Sequence, residues 1–374
     1  MRNILYLFLF FWIGQAVFAN ERALSERAEI TVLTCGVGDE LYSLFGHTAI
    51  RVNDPMEGID RVYNYGMFDF STPNFYGKFV KGDLLYFADY STYKNFLVGY
   101  YYDNRAVYEQ VLNLSQEQKQ AIWEELNNSL KEENKYYVYK FIDQNCTTKV
   151  GDILNHNLSK PLNTDIEGNR EEYRTILNTY LKSRYFELLG INLIFGSKVD
   201  QKSTSLFLPD KLMKGIAETT IDGKPLVKET FTVLEENKKE ENKGVWWNTI
   251  WLFSAVVLLL TYLNTFQMVR NAYFILMGVL GVFFFAVGFY SLHSELLSNN
   301  TILLCSPLFL VLPFVRRKYI ILKIVQMLLF VSLFLYVVLN LSSEKLIVTL
   351  PLFFLTVVSL AIDMRSSRSW VMAK

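Results

Sequence analysis

The chain has 374 residues, and its 37 lysines and arginines balance its 37 aspartates and glutamates, leaving a formal net charge of zero. No long basic run breaks that balance, so nucleic acid lacks the electrostatic footprint it would need on this protein. Hydrophobic residues make up 51% of the chain and are unevenly spread: charged and apolar residues mix from Ala28 to Val233, whereas Leu, Val, Phe and Ile dominate from Trp246 to Met364. That break in composition predicts a soluble domain followed by a membrane part.

The first nineteen residues read as a secretory signal. Arg2 gives a positive start, Ile4 to Ile13 a short apolar core, and Val17 with Ala19 the small residues of a cleavage site. An uncleaved anchor helix is the alternative, and both place the following domain, residues 20–234, outside the cytoplasm. Within it, Glu29–Thr34 and Phe45–Val52 read as strands. The turn chemistry of Asn53–Gly58 and a return strand over Asp60–Tyr65 make residues 45–66 a β-hairpin. Arg105–Leu114 is a further β-rich run. Ser115 with Gln118 forms a capping box for a helix that keeps Ile122, Leu126 and Leu130 on one face. Tyr136–Ile142 is aromatic and β-branched. After Asp143-Gln144-Asn145-Cys146-Thr147-Thr148, the spacing of Val150, Ile153 and Leu154 predicts a helix, and residues 170–189 and 208–217 are helical too. The class of this domain is α+β.

Residues 235–245 read as a charged linker, and 246–364 hold five apolar segments: Trp246–Met268, Ala272–Leu292, Thr301–Val315, Tyr319–Leu341 and Leu346–Ile362. A membrane helix needs about 20 residues, so the third and fifth are short, and Pro307 and Pro313 interrupt the third. Basic residues gather at every second connection: Arg270, then Arg316, Arg317 and Lys318, then Arg365, Arg368 and Lys374 in a 365–374 tail. Those connections are expected in the cytoplasm. Five spans that start outside end inside, in agreement with an exported N-terminal domain.

A cysteine enzyme needs a thiolate, a base to generate it and a polar group to orient the base. Cys146 stands where a helix begins, and the partial positive charge of a helix N-terminus favours a sulfur anion. Asn145 beside it is a good N-cap. Of the three histidines, His156 lies about 15 Å along the same helix, too far to share the thiol's proton. His293 falls in a connection between spans. His47 remains, at the start of a strand and preceded by Gly46, which leaves room for a close approach. The return strand of the hairpin offers Asn64 to hold the imidazole, with Tyr63, Tyr65 and Asp69 as alternatives. The bland reading pairs Cys35 with Cys146 in a disulfide. The histidines are scattered and no carboxylate cluster has ligand spacing, so neither a metal nor another cofactor is expected.

Three stretches carry a resemblance: Leu33-Thr34-Cys35-Gly36 through Gly38-Asp39-Glu40-Leu41-Tyr42-Ser43-Leu44-Phe45-Gly46-His47-Thr48-Ala49-Ile50-Arg51-Val52; Val62-Tyr63-Asn64-Tyr65-Gly66 with Phe68-Asp69-Phe70; and Asp143-Gln144-Asn145-Cys146-Thr147-Thr148. Together they resemble the periplasmic domain of the Lnb family of lipoprotein N-acyltransferases. Phe207-Leu208-Pro209-Asp210 and the spacing of His293, Asn299, Asn300 and Pro307 are similar to that family too, so the resemblance runs from about Ile30 into the membrane part. The order His, then Asn-Cys at a helix start, also resembles the circularly permuted papain-like families related to NlpC. Lecithin:retinol acyltransferase is one of these, and its Asn-Cys-Glu-His is replaced here by Asn145-Cys146-Thr147-Thr148.

The resemblance implies a permuted papain-like (NlpC/LRAT-like) α+β domain before an all-α bundle of five membrane helices in the bacterial inner membrane. Cys146, His47 and Asn64 would be catalytic; Arg51, Tyr65, Asp143, Asn145 and His293 would support them or touch substrate. The implied reaction is ping-pong. Cys146 takes an acyl group from a phospholipid, and the amine of a diacylglyceryl lipoprotein then takes it from the thioester. A cell-wall peptide amidase of the NlpC kind needs the same two residues and stays open, as does a non-catalytic lipid- or lipoprotein-binding membrane protein.

Overall fold

The structure, a computed structural model, describes residues 23–237 and 245–372, with side chains up to 366. The expected signal at 1–19 and most of the expected linker lie outside the described residues.

Strand β1 (Glu29–Cys35) is buried at every residue but its first, with Ile30 and Val32 in the core on one face and Leu33 and Cys35 in the core on the other. It lies between β2 (His47–Asp54) and β5 (Val107–Leu112). The expected hairpin joins β2 to β3 (Ile59–Met67), with Ala49 opposite Asn64 and Ile50 opposite Tyr63. Its turn is held by Asp54, whose Oδ1 accepts from Met56 N at 3.1 Å and Glu57 N at 3.4 Å. β2 starts two residues later than the sequence suggests. Gly46 adopts φ +82°, and a Cβ there would lie 2.5 Å from the Cys35 carbonyl oxygen.

Three further strands complete the sheet: β4 (Leu85–Thr92), β6 (Tyr136–Val138) and, after a two-residue ribbon β7–β8 (Thr220–Ile221 with Lys224–Pro225), β9 (Val227–Leu234). The order is β6-β4-β3-β2-β1-β5-β9, antiparallel at every pairing. Between β3 and β4 lie helix α1 (Phe75–Lys81) and, after β4, helix α2 (Tyr93–Tyr102).

One sheet face carries α3 (Gln116–Asn128), opened by the expected capping box, and α4 (Cys146–Asn157). Ile30, Val32, Ile50 and Val52 pack there against Ile122, Leu126, Val150 and Leu154. On the opposite face Phe96 of α2 packs on Leu33, Ala49, Val62 and Val107. The region 170–189, expected as one helix, is two: α5 (Tyr173–Tyr180) and α6 (Tyr185–Ile194). Helix α7 (Pro209–Ala217) begins at its proline, as a first helical turn allows.

The membrane part has three helices long and apolar enough to cross a bilayer: Gln267–Tyr290 (α9), Tyr319–Leu339 (α10) and Glu344–Ser366 of the longer helix Glu344–Met372 (α11). Ile250–Leu263 (α8) is apolar but has only 14 residues. The expected third span is not a helix. It runs as 3-10 turns at Asn300–Leu303 and Pro307–Leu310, then a helical turn Leu312–Val315. Pro307 and Pro313 supply no N–H for a continuous helix.

This irregular backbone is buried by its neighbours, as a lipid environment requires. It fits against α9 where Gly278 and Gly281 remove side chains; a Cβ at Gly281 would stand 1.7 Å from the Cys305 carbonyl oxygen. One end is tied by buried Asp363, 3.3 Å from Arg270 Nε and 2.8 Å from Arg316. At the other, Lys345 Nζ donates to Asn299 at 3.1 Å and to Asn300 at 2.5 Å. Arg270 and Arg316, from two of the basic connections singled out in the sequence, thus share an end of the bundle, opposite the end that meets the soluble domain.

That second end is closely bonded to the sheet domain. Leu292 N donates to Lys81 O at 2.7 Å, Asn299 Nδ2 to Leu193 O at 2.7 Å, Tyr185 OH to Val348 O at 2.8 Å and Asn178 Nδ2 to Glu344 at 2.7 Å.

Candidate active site

Cys146 is the first residue of α4, and the Asn145 side chain builds the turn beneath it. Asn145 Oδ1 accepts from the N–H groups of Thr147 and Thr148, each at 2.9 Å, while the Thr148 hydroxyl accepts from Asn145 N at 2.9 Å. Asn145 Nδ2 donates to the carbonyls of Phe141 at 2.8 Å and Phe207 at 2.9 Å. Every polar atom of this buried amide is occupied, so Asn145 positions the helix start and has nothing left for a substrate.

His47 reaches the sulfur from β2. Its side chain hydrogen-bonds Cys146, and its Nε2 lies 3.1 Å from Asn64 Oδ1. The amide oxygen accepts from Nε2–H, which leaves the unprotonated Nδ1 for the thiol. Of the four residues considered for orienting the imidazole, Asn64 is the one that meets it. Tyr63 and Tyr65 turn to the α3 side, bonded to Asn127 and Ser129, each at 2.8 Å, and Asp69 is exposed and accepts from Ser71.

The helix and strand approach closely because β3 bulges between Asn64 and Met67, with Gly66 at φ +84°. A Cβ on Gly66 would lie 3.6 Å from the Cys146 Cβ. Thr48 and Thr147 join hydroxyls at 3.1 Å, pinning strand to helix, and the Thr48 N–H donates to the sulfur.

Burial works against the Cys146 anion, but the His47 charge and hydrogen bond, helped by the Thr48 amide and Thr147 hydroxyl, outweigh it and bring the thiol down to about 7. Burial likewise works against the His47 cation, yet the neighbouring thiolate and Asn64 raise the imidazole above its ordinary value. The pair therefore favours thiolate–imidazolium near neutral pH. Both residues are half-buried. Cys35 is different: it is fully buried and pushed up to about 12. Cys35 and Cys146 are free thiols, not a disulfide. Alkylation of Cys146 by iodoacetamide is expected to titrate with a midpoint near pH 7, its rate falling as pH drops through that value, while Cys35 stays unlabelled. Peptide mass spectrometry across pH 5 to 10 checks this; a midpoint near the ordinary thiol value of about 8.5 would remove the ion pair.

The other expected residues lie apart from the sulfur. Arg51 faces the α2 side, paired with Asp60 at 2.8 Å and Glu109 at 2.9 Å and covered by the Tyr93 ring. His156, already set aside from the sequence by its distance along the helix, pairs with Glu125 at 3.0 Å. Asp143 binds Lys198, and Lys198 Nζ donates to Ser294 Oγ at 2.8 Å. His293 Nε2 is 2.9 Å from the Phe79 carbonyl oxygen, docked on α1 rather than on Cys146.

Sequence reasoning missed the Thr48 amide and Gly66, which need the hairpin register, and also Glu295. That buried carboxylate, from the membrane part, accepts from Ile142 N at 2.9 Å, four residues before the thiol. Among the described residues, no group of three or more His, Cys, Asp or Glu is placed to hold a metal ion.

A thiol, an imidazole and an amide thus lie together on an antiparallel α/β domain that is joined to helices apolar enough to cross a membrane. Residues 16–179 match the model of the Lnb N-terminal periplasmic domain. Residues 16–179 are thus of the Lnb periplasmic-domain type, and the three helices that follow are long and apolar enough to cross a membrane. No curated protein and no solved structure matches it.

Proposed function

We propose that the protein is a membrane-bound thiol acyltransferase that moves an acyl chain from a phospholipid to the N-terminal amine of a diacylglyceryl lipoprotein. The observation that carries this is the Cys146–His47–Asn64 set on a domain bonded to the external end of a membrane bundle. On this reading the domain is a permuted papain-like fold, with the histidine strand ahead of the cysteine helix in the chain. The shared end of Arg270, Arg316 and Asp363 faces the cytoplasm, and the C-terminus lies there too.

His47 takes the Cys146 proton and the thiolate adds to the ester carbonyl. Thr147 and Thr148 spend their N–H groups on the Asn145 cap, leaving the Cys146 N–H at the helix mouth for the oxyanion. Collapse breaks the C–O bond, the imidazolium protonates the leaving alkoxide, and a lysophospholipid departs. The lipoprotein amine then attacks the acyl-Cys146 thioester. Its proton passes to His47 and on to the departing sulfur, forming an amide and restoring the thiol. Both substrates are lipid-anchored, which gives the membrane tether its purpose.

Intact mass spectrometry of the full chain incubated with phospholipid tests the reading. The expected result is one acyl adduct on the native protein and none on Cys146→Ser. Release of muropeptides from cell-wall fragments without any adduct would replace the acyltransferase by a peptide amidase.

A further inference from the structure

Beyond β3 the chain carries an aromatic run that the thiol chemistry leaves unused. Phe68, Phe70 and Phe75 cluster, with Phe70 rings 5.0 Å from Phe68 and 4.9 Å from Phe75. Phe75 meets Tyr76 at 5.4 Å, and the outer face is open: Tyr76 is 76% exposed, Phe70 61% and Phe79 46%. So much contiguous exposed aromatic surface is unusual unless something covers it. Inward, Phe68 touches Tyr86 at 5.5 Å, and Tyr86 stacks on Tyr139 at 4.5 Å. Tyr139 lies against Gly66, the residue that borders Cys146. A continuous series of ring contacts thus runs from the exposed face to Tyr139, which is separated from Cys146 by Gly66.

Two observations say what covers it. Helix α1, which bears Phe75, Tyr76 and Phe79, is bonded to the end of membrane helix α9. Ser291 Oγ donates to Val80 O at 3.1 Å, Leu292 N to Lys81 O at 2.7 Å, and His293 Nε2 lies at Phe79 O. Residues at the end of a spanning helix stand at the bilayer surface, so α1 is held at that depth. Lys78 and Lys81 share the helix with the aromatic rings, a mixture suited to headgroups and the ester layer.

We infer that the segment Phe68–Phe79 is a phospholipid-binding lip: it lies in the outer bilayer interface and receives the acyl chain whose ester is presented to Cys146. The second half of this statement rests on the acyltransferase reading; the lipid contact itself does not. Benzoylphenylalanine is placed at position 70 or 76, each in a Cys146→Ala background, in the full chain reconstituted into phosphatidylethanolamine–phosphatidylglycerol nanodiscs. The control is position 56, because Met56 is 61% exposed at the far turn of the same hairpin. After irradiation, a phospholipid adduct at 70 and 76 at least tenfold above that at 56 is expected. Adduct no higher than at 56, or crosslinks to a second protein chain instead, would overturn the lip. Because no turnover is needed, lipid crosslinking without acyl-enzyme on the native protein would leave the lip standing and sink only the acyltransferase.

Discussion

Replacing His47 by alanine is expected to slow acyl-enzyme formation by about ten-thousandfold. Two effects combine. Without the imidazole, the attractions that bring Cys146 to about 7 lose their largest part, and the thiol returns toward its ordinary range or higher, since burial then acts unopposed. A shift of two units leaves only about 1% thiolate at pH 7. The leaving alkoxide also loses its proton donor, and general acid catalysis is worth roughly a hundredfold or more. The measurement is the rate of adduct appearance on native and variant chains, with alkylation as a companion. Alkylation of His47→Ala at pH 7 should fall about fiftyfold and recover near pH 10, where the thiol ionises unaided. Recovery shows that the site is intact and only the base is missing. A variant within tenfold of native acylation would remove His47 from the mechanism.

The second large effect is on stability. Asn145→Ala removes an N-cap worth about 1 kcal/mol. It also strands the Phe141 and Phe207 carbonyls, whose donor is the same amide. A buried group left unpaired costs about 1–3 kcal/mol, so a total near 4 kcal/mol is expected, a large share of the roughly 5–15 kcal/mol that holds a typical domain. In thermal unfolding of the detergent-solubilised chain this corresponds to a drop of about 10 °C. Asn145→Asp should not recover it, since a carboxylate still accepts from Thr147 and Thr148 but sets an oxygen against the Phe141 and Phe207 carbonyls, while its charge raises the Cys146 pKa and moves the alkylation midpoint upward. A drop below 2 °C for Asn145→Ala would show that the loop is held by other contacts.

Much of this arrangement is legible in the sequence. The hairpin followed from alternation and from the Asn53–Gly58 turn, and α3 and α4 from their caps. These are local signals that the fold does not override. The pairing of His47 with Asn64 needed more, because neighbouring strand residues face opposite ways and a shift of one position would have favoured Tyr63 or Tyr65. Elements without a local pattern stayed hidden. β9 is an edge strand with mostly exposed side chains, so no alternation marks it, and the loop before β4 gives no hint of α1. The third membrane segment misled for the opposite reason. Its composition is that of a span, but the chain runs there as short turns that begin near Pro307 and Pro313 and seat against Gly278 and Gly281. Glu295 had no signal at all, since its partner Ile142 is 153 positions away.

That carboxylate has a practical consequence. The turn that presents the thiol is fastened from below by the transmembrane half, through Glu295 to Ile142 N and through Ser294 to the Lys198–Asp143 pair. An excised extracytoplasmic fragment would keep its nucleophile and base yet lose the brace under them. Assays and inhibitor screens therefore call for the intact, lipid-embedded molecule.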